Sequence, residues 1–564
     1  MKFSEIPYKR PNISEFEGKF NAVLAEFKEA DSFEQHDRAL LEMQDLLDGL
    51  ETQEQLSQIR FDNNTTDKKL EAEVTHMETV VPRMQSLEND MRSSISKSKY
   101  REQLGKKYGA HLLKIADFKS SAFDPAIVED LQQERKVSGL YSKLTGGAQI
   151  DFEGAKVTLP AMRKFLVSKD RNIRKKAYLA RWEFFASHQE ELDDIYDQLV
   201  KIRHGMAVKL GFDSYTKLSY KWMSRFDYDA ENVANFRNQL SKDVVPLVAQ
   251  LRAKQAKRLG LDQLEPFDIP FHFASGNPAP KGTPEEILRK AQSMYRELSS
   301  ETGEFFDHLL DNELIDVINR PGKSPGGYCW EISALKYPYI FANFNGTSGD
   351  VDVLTHEAGH AFQYHESRNF ALRDYRFPQA ETAEIHSTSM EFLTYPWMRK
   401  FFQEDTDKYY YLHQTRKLVS LPSGATADHF QEVIYDNPGF TPDERAGVYR
   451  EMQAKYSPDQ LSNMTPYLQS GRQWQSILHF YLLPFYYIDY SLAEVCAFQF
   501  HKKAEENREE TWSDYLKLCQ AGGSQAFLSL LKLAKLRSPF DDGTVKDVVD
   551  HVVANLNKID DSKF

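Results

Sequence analysis

The stretch "LTHEAGHAFQYHES", residues 354–367, decides how the rest of the chain is read. His356 and His360 stand four residues apart with Glu357 between them. In a helix, residues i and i+4 lie about 40° apart on one face, so both imidazoles can reach one ion. Glu357 lies about 100° round from His356, close enough to reach a water beside that ion. Zinc held by three protein ligands keeps a fourth position for water and brings its pKa towards neutrality, so that a nearby carboxylate can take the proton. The competing reading is a helix with incidental histidines. With 16 His in the chain, the four-residue pattern needs support from its flanks.

The flanks supply it. "GTSGD" (346–350) breaks the chain and offers Ser348 and Asp350 as N-cap candidates, and Asp350 and Asp352 load the first helical turn with negative charge. Ala358 and Gly359 are small, so another element can approach closely. That element is expected to be "ETAEIHSTSMEFL" (381–393), which is rich in carboxylates. The metzincin pattern requires Gly and His three and six residues after His360. Here those places hold Gln363 and Glu366, which excludes that class. A downstream Glu is the remaining common third ligand, and Glu381, Glu384 and Glu391 are the candidates. Glu381 and Glu384 are i,i+3 neighbours, so one could bind the ion while the other orients a histidine ring. Spacing alone does not choose among the three. His365 and His386 point elsewhere on their helices and are expected to make ordinary polar contacts.

Away from this region the chain reads as mainly α. Residues 12–135 carry apolar residues at three- and four-residue spacing, as in Phe16, Phe20, Val23, Leu24 and Phe27, with charges on the other faces. "QIDFEGAKVTL" (149–159) alternates around Glu153-Gly154, which predicts a hairpin. Helix resumes near Pro160 and runs past 250, residues 262–285 are a Pro- and Gly-richer connector, and helices return from 286. Residues 313–345 contain short β-prone runs, "ELIDVI" and "YPYIFANF", around the loop "NRPGKSPGGYCW". The GKS in that loop is not a phosphate loop, because Val317 stands where the first glycine is required. The apolar region 477–498 is interrupted by Pro484, Asp489 and Glu494, so it reads as a buried helix and not a membrane span.

Bulk composition narrows the function. The chain has 564 residues, 41% hydrophobic and 27% charged, with a net charge of −13, which suits a soluble globular protein and disfavours nucleic acid and anionic membranes as partners. The three cysteines, Cys329, Cys496 and Cys519, are odd in number and far apart, so neither a disulfide framework nor a cysteine metal site is expected. "MKFSEIPYKRPN" has no apolar h-region, and a cytoplasmic location is expected. A monomer is expected.

"HEAGHAFQ" followed by "ETAEIHSTSMEF", with "YPYIFANFNGT" (337–347) before and "HFYLLPFYYIDYSLAEV" (479–495) after, resembles the M3 family of zinc metallopeptidases, in its oligoendopeptidase F or Pz-peptidase branch. The match is most specific over 330–500. The resemblance implies an almost all-helical ellipsoid whose two lobes enclose a deep channel, with the HExxH helix of the gluzincins and a small β-sheet beside it. The expected division is an N-terminal helical lobe (1–200) and a catalytic domain (201–564). By its place in the family motif, Glu384 is the third zinc ligand after His356 and His360. Glu381, Glu391 and Asp352 are left as supporting carboxylates. Glu357 is the general base, and His479, Tyr486, Tyr487 and Tyr490 are offered for the oxyanion, of which Tyr490 and Tyr487 fit the family pattern best.

Physical chemistry supports those roles independently, since phenol or imidazolium donors held close to a developing oxyanion stabilise it more than the neutral ground state. The "YIFANF" run is expected to present a strand edge to an extended peptide, with Tyr339, Phe341, Asn343 and Gly346 as substrate contacts. The expected activity is internal cleavage of short unfolded oligopeptides with one zinc ion, a site that cobalt or manganese could also occupy. The alternatives are a dipeptidyl carboxypeptidase on the same scaffold and a non-catalytic peptide-binding helical protein.

Overall fold

Capping residues and apolar stripes set the N-terminal helices where periodicity predicts them. In the computed structural model, which describes residues 1–564, the first three long helices are Ile13–Glu29, Phe33–Asn63 and Lys68–Ser96. Asn12, Ser32 and Asp67 cap them, each side chain accepting a backbone N–H of the first turn. Phe20, Val23, Leu24 and Phe27 pack with Leu40, Met43, Met84 and Met91 into a core of their own, whose only buried members from beyond residue 120 are Leu372 and Tyr375. Charges flank that docking point. Arg376 Nη1 lies 2.6 Å from Asp48 Oδ2, and Asp374 Oδ1 takes Arg92 at 3.1 Å and Lys119 at 3.3 Å.

A second, larger core gathers buried residues from Ile6 through Tyr196, Phe430 and Trp474 to Leu556. Trp474 is fully buried against Tyr196, at 4.6 Å between ring centres, and Phe430, at 5.5 Å. Burying an aromatic or aliphatic side chain of this size contributes about 1.5–3 kcal/mol, so this aromatic-rich interior is the main store of stability.

The predicted hairpin is present, as β1 (Ile150–Phe152) and β2 (Ala155–Val157) paired antiparallel. Glu153 and Gly154 both take positive φ, 49° and 80°, as a two-residue hairpin turn demands. The second sheet has three strands, β3 (Ile315–Asp316), β4 (Tyr328–Ile332) and β5 (Tyr337–Phe341), in the order β3-β5-β4. β5 pairs parallel with β3 and antiparallel with β4, with Trp330 opposite Tyr339. The expected exposed edge is therefore wrong by one strand: the "YIFANF" run is central and covered on both sides, and β4 is the outer strand. Lys323 of the GKS loop reaches under the sheet, its Nζ 2.8 Å from Asp316 Oδ1 and 2.7 Å from the Ala342 carbonyl oxygen. Its role is to bind the sheet together.

The region 477–498 is not one helix. A short helix, Leu478–Leu482, ends before Pro484, and a long one, Tyr487–Glu506, begins three residues after that proline. Phe485 between them has φ 65°, a left-handed conformation that a bulky residue adopts only when its surroundings enforce it. Two buried arginines do so. Arg203 donates to the Phe480 and Tyr481 carbonyl oxygens at 2.9 and 2.6 Å. Arg225 donates at 2.8 Å both to the Phe485 carbonyl oxygen and to Asp489 Oδ1. Gln431 Oε1 accepts the Phe485 N–H at 3.0 Å. No helix of the structure is long and apolar enough to cross a membrane.

Candidate metal centre

The opening motif lies on the helix Gly349–Ser367. Ser348 holds the N-cap position, but its side chain makes no capping bond. Asp350, in the first turn, instead ties down the loop before the helix, accepting Asn345 N–H at 2.8 Å and Gly346 N–H at 2.7 Å. The helix Ala380–Leu393 crosses it at Gly359, where a Cβ would meet Ser387 Cα at 2.6 Å and the His386 carbonyl oxygen at 2.7 Å. Only glycine permits this approach, and the approach delivers the carboxylates of one helix to the histidines of the other.

His356, His360 and Glu384 come together there, one ligand atom from each within 4.8 Å of the others. Glu384 Oε2 lies 3.3 Å from His356 Nε2 and 3.8 Å from His360 Nε2. Bonds of about 2.0–2.2 Å in a tetrahedron require ligand separations of about 3.3–3.6 Å, so this donor set fits a zinc-sized ion with little movement. Nδ1 of His360 is buried without a partner, which leaves Nε2 as the nitrogen aimed into the site.

Around the ligands is a shell that holds them. Glu391 Oε1 accepts Nδ1–H of His356 at 2.8 Å, leaving Nε2 free for an ion. Glu391 is itself held by His413 Nε2 at 2.7 Å and Lys417 Nζ at 2.8 Å. Tyr486 Oη donates to Glu384 Oε1 at 2.7 Å, which turns Oε2 towards the histidines. His413 and Lys417 escape sequence reasoning, because their helix carries no motif, and Tyr486, offered for the oxyanion, is bonded to Glu384 instead. The one available signal for His413 and Lys417 is that they lie four apart on one predicted helix.

Electrostatics favour a cation at this point. Burial works to lower the His356 imidazolium, but hydrogen bonds and charge from Glu384 and Glu391 overcome it and hold the pKa up at about 10. Burial would raise Glu384, yet His356, His360 and Tyr486 bring it down to about 2. Burial dominates at His360 and lowers it to about 4. The proton on His356 thus sits where a divalent ion would replace it. Burial, helped by Glu384 and Glu391 and opposed by His356, pushes Glu357 up to about 7, in the range that suits a general base. The Cys329 backbone N–H on the outer strand β4 also faces the Glu357 carboxylate.

The tyrosine segment lies across the site. Tyr490 Oη is 3.5 Å from His479 Nε2, and Tyr490 is 37% exposed, so its phenol faces open space. Burial is the main cause that raises its pKa, with the charges of Glu384 and Glu357 adding to it, which keeps the phenol protonated. Tyr487 packs its ring on His479 and Tyr490, at 5.0 and 5.8 Å.

Several expected residues lie outside this constellation. Glu381 is fully buried with neither oxygen partnered, and burial with the nearby Asp489 charge raises its pKa well above the carboxylate range. It orients no histidine, because its place three residues before Glu384 turns it towards Asp489 and Arg225. Asp352 accepts Tyr409 Oη at 2.8 Å and touches no ligand. The four expected substrate contacts are structural. Tyr339 Oη accepts from Asn63 at 3.0 Å, and Phe341 stacks on Tyr328 at 4.8 Å. Asn343 donates to the Ser324 and Gly326 carbonyl oxygens, and Gly346 N–H is spent on Asp350. Tyr339 and Phe341 are committed because β5 is interior, whereas Asn343 and Gly346 lie in the loop after it.

Comparison with known proteins agrees with this geometry. The model of peptidase family M3 matches residues 165–549, and that of the peptidase M3 N-terminal domain matches residues 3–123. The solved structure of PZ peptidase A with an inhibitor superposes with a TM-score of 0.96 at 44% identity, covering 100% of both chains. The oligoendopeptidase F homolog of Borreliella burgdorferi is 24% identical over 379 residues, 65% of this chain and 62% of that one. That of Lactococcus lactis subsp. lactis is 23% identical over 381 residues, 65% of this chain and 60% of that one. The chain thus spans about three-fifths of the length of these curated relatives. On the extent of the family match and the conserved whole-chain fold, the chain belongs to peptidase family M3, a family of metal-dependent peptidases.

Proposed function

We propose that this protein is a zinc metalloendopeptidase that cuts internal bonds of short, unfolded oligopeptides. The observation that carries the reading is the convergence of His356, His360 and Glu384 beside Glu357, facing Tyr490 and His479. When bound by those three residues, zinc would supply Lewis-acid polarisation of a carbonyl and a water of near-neutral pKa.

The remaining work belongs to the chain. Glu357 takes the proton of the attacking water and carries it to the leaving amine, microscopic steps that a carboxyl with a pKa of about 7 can perform in both directions. Tyr490 and His479 donate to the carbonyl oxygen as it gains charge. Tyr487 supports both rings from the side, and Tyr486 holds Glu384 in register. The outer strand β4 offers its free edge next to Glu357, where an extended peptide can add as a further strand. Main-chain pairing gives affinity without much demand on side chains, which suits a general oligopeptidase. Two lobes around a channel would exclude folded proteins.

The test is mass-spectrometric mapping of products from end-blocked peptides of graded length, with the enzyme chelated and with zinc restored. Internal cuts that vanish on chelation, return with zinc and fade for long or folded substrates are expected. Removal of C-terminal dipeptides only, with blocked peptides untouched, would establish the dipeptidyl carboxypeptidase alternative.

A further inference from the structure

A second group of metal-ligating side chains lies away from the site just described. The long helix Tyr487–Glu506 carries His501 and Glu505 one turn apart on one face, and the C-terminal helix Thr544–Lys558 presents His551 to them. Nδ1 of His501 and Nε2 of His551 are 3.3 Å apart. Glu505 lies 3.8 Å from His501 Nε2 and 3.9 Å from His551 Nε2. One ligand atom from each falls within 4.8 Å of the other two. The two contacts of His551, 3.3 Å to His501 Nδ1 and 3.9 Å to Glu505 Oε2, use one nitrogen of each ring and lie near the roughly 3.3–3.6 Å that a tetrahedral zinc-sized ion imposes, whereas the 3.8 Å contact is made by the other nitrogen of His501. The geometry points to a second divalent-metal site, formed by His501, Glu505 and His551, that staples the C-terminal helix to the helix bearing Tyr487 and Tyr490.

The chemistry of the group agrees. Burial lowers the pKa of His501 to about 3 and lowers that of His551, so both imidazoles are neutral near pH 7 with lone pairs available. Two nitrogens face each other, which a proton can bridge only once and an ion can bridge from both. Two imidazoles and a carboxylate suit zinc or its borderline neighbours better than calcium or magnesium. Access is open on one side, since the Glu505 side chain is 42% exposed. Asn555 now donates to Glu505 Oε1 at 2.9 Å and lies 3.2 Å from His551 Nε2. The nearby cation, Lys558 Nζ, stays 3.9 Å from Glu505 and already bonds Asn555 Oδ1 at 2.7 Å.

No ligand is shared with the first centre. His501 sits eleven residues after Tyr490, about 16 Å along the helix. One line of contacts joins the two. The His501 ring lies 5.1 Å from Tyr395, whose Oη bonds His413 Nδ1 at 2.6 Å, and His413 bonds Glu391, which holds His356. An ion at the second site is therefore expected to stiffen the support of the first without entering it.

The experiment is zinc stoichiometry of the full chain by equilibrium dialysis and elemental analysis, paired with thermal melting across a zinc titration. Wild type is expected to bind two equivalents, and the second to raise Tm. His551→Ala and Glu505→Gln should each bind one equivalent and lose that rise, while keeping peptide cleavage within about twofold. Glu505→Gln changes only a surface carboxylate, so it answers the question even if His551→Ala folds poorly. One equivalent in wild type at zinc in excess, or a second equivalent retained in Glu505→Gln and His551→Ala alike, would overturn the proposal.

Discussion

Nδ1 of His356 and Oε1 of Glu391 stand 2.8 Å apart, joining the motif helix to the helix Ala380–Leu393. The bond fixes which imidazole nitrogen is left for the ion, and Glu391 is fixed in turn by His413 and Lys417. Outer-shell partners of this kind typically contribute about 10–100-fold in metal affinity. Glu391→Gln is therefore expected to release zinc to a competing chelator at about 10–100-fold lower chelator strength. Unchanged affinity in a folded variant would show that ring orientation comes from packing alone.

Under the proposed mechanism, Tyr490 donates to the substrate oxygen as that oxygen gains charge. Removing one such donor lowers kcat by about 10²–10³ with little change in KM. Tyr490→Phe is expected to follow that pattern in steady-state cleavage of a quenched peptide. A rise in KM alone would make the phenol a ground-state binding contact.

Gly359 sets the spacing between the two ligand-bearing helices, with Ser387 Cα only 2.6 Å from where its Cβ would be. Gly359→Ala must push those helices apart. A loss of about 1–3 kcal/mol is expected from such overpacking, read as a lower Tm or denaturation midpoint. Zinc affinity should fall with it, because Glu384 and Glu391 move away from His356 and His360 together.

Arg225 is fully buried and bonds both the strained Phe485 carbonyl and Asp489. Arg225→Met leaves Asp489 as a buried unpaired charge, a change that costs about 3–5 kcal/mol. Adding Asp489→Leu should restore much of the stability. It should not restore turnover, because the turn that carries Tyr486 and Tyr490 remains unclamped. Full recovery of kcat in the double variant would show that the turn holds its shape without Arg225.

Asp374 joins the N-terminal helices to the segment after the motif helix. Burial presses its pKa upward, but Arg92 and Lys119 overcome this and hold it below the ordinary 3.8. A carboxyl depressed in the folded state contributes stability above its unfolded pKa and loses it as pH falls through the folded value. The loss should begin below about pH 4. Asp374→Asn is expected to be less stable than wild type at neutral pH and to show a shallower decline in urea midpoint on acidification. Parallel acid limbs for the two proteins would remove Asp374 from the account.

The sequence by itself determined what depends on local geometry. Helical phase brings His356 and His360 to one face, caps and apolar spacing place the N-terminal helices, and Glu153-Gly154 dictates a hairpin turn. The motif resemblance identified Glu384 among three carboxylates that spacing left equivalent, and the structure brings that residue to both histidines. Only tertiary structure decided the rest, because each remaining question concerns which element lies beside which. Strand order made β5 interior and β4 the edge, and so committed Tyr339 and Phe341 to the fold. Helix crossing at Gly359 gave Glu391 to His356 and turned Glu381 away. Tyr486, His413, Lys417 and Arg225 reach the site from segments far apart along the chain, and no one-dimensional pattern records such an approach.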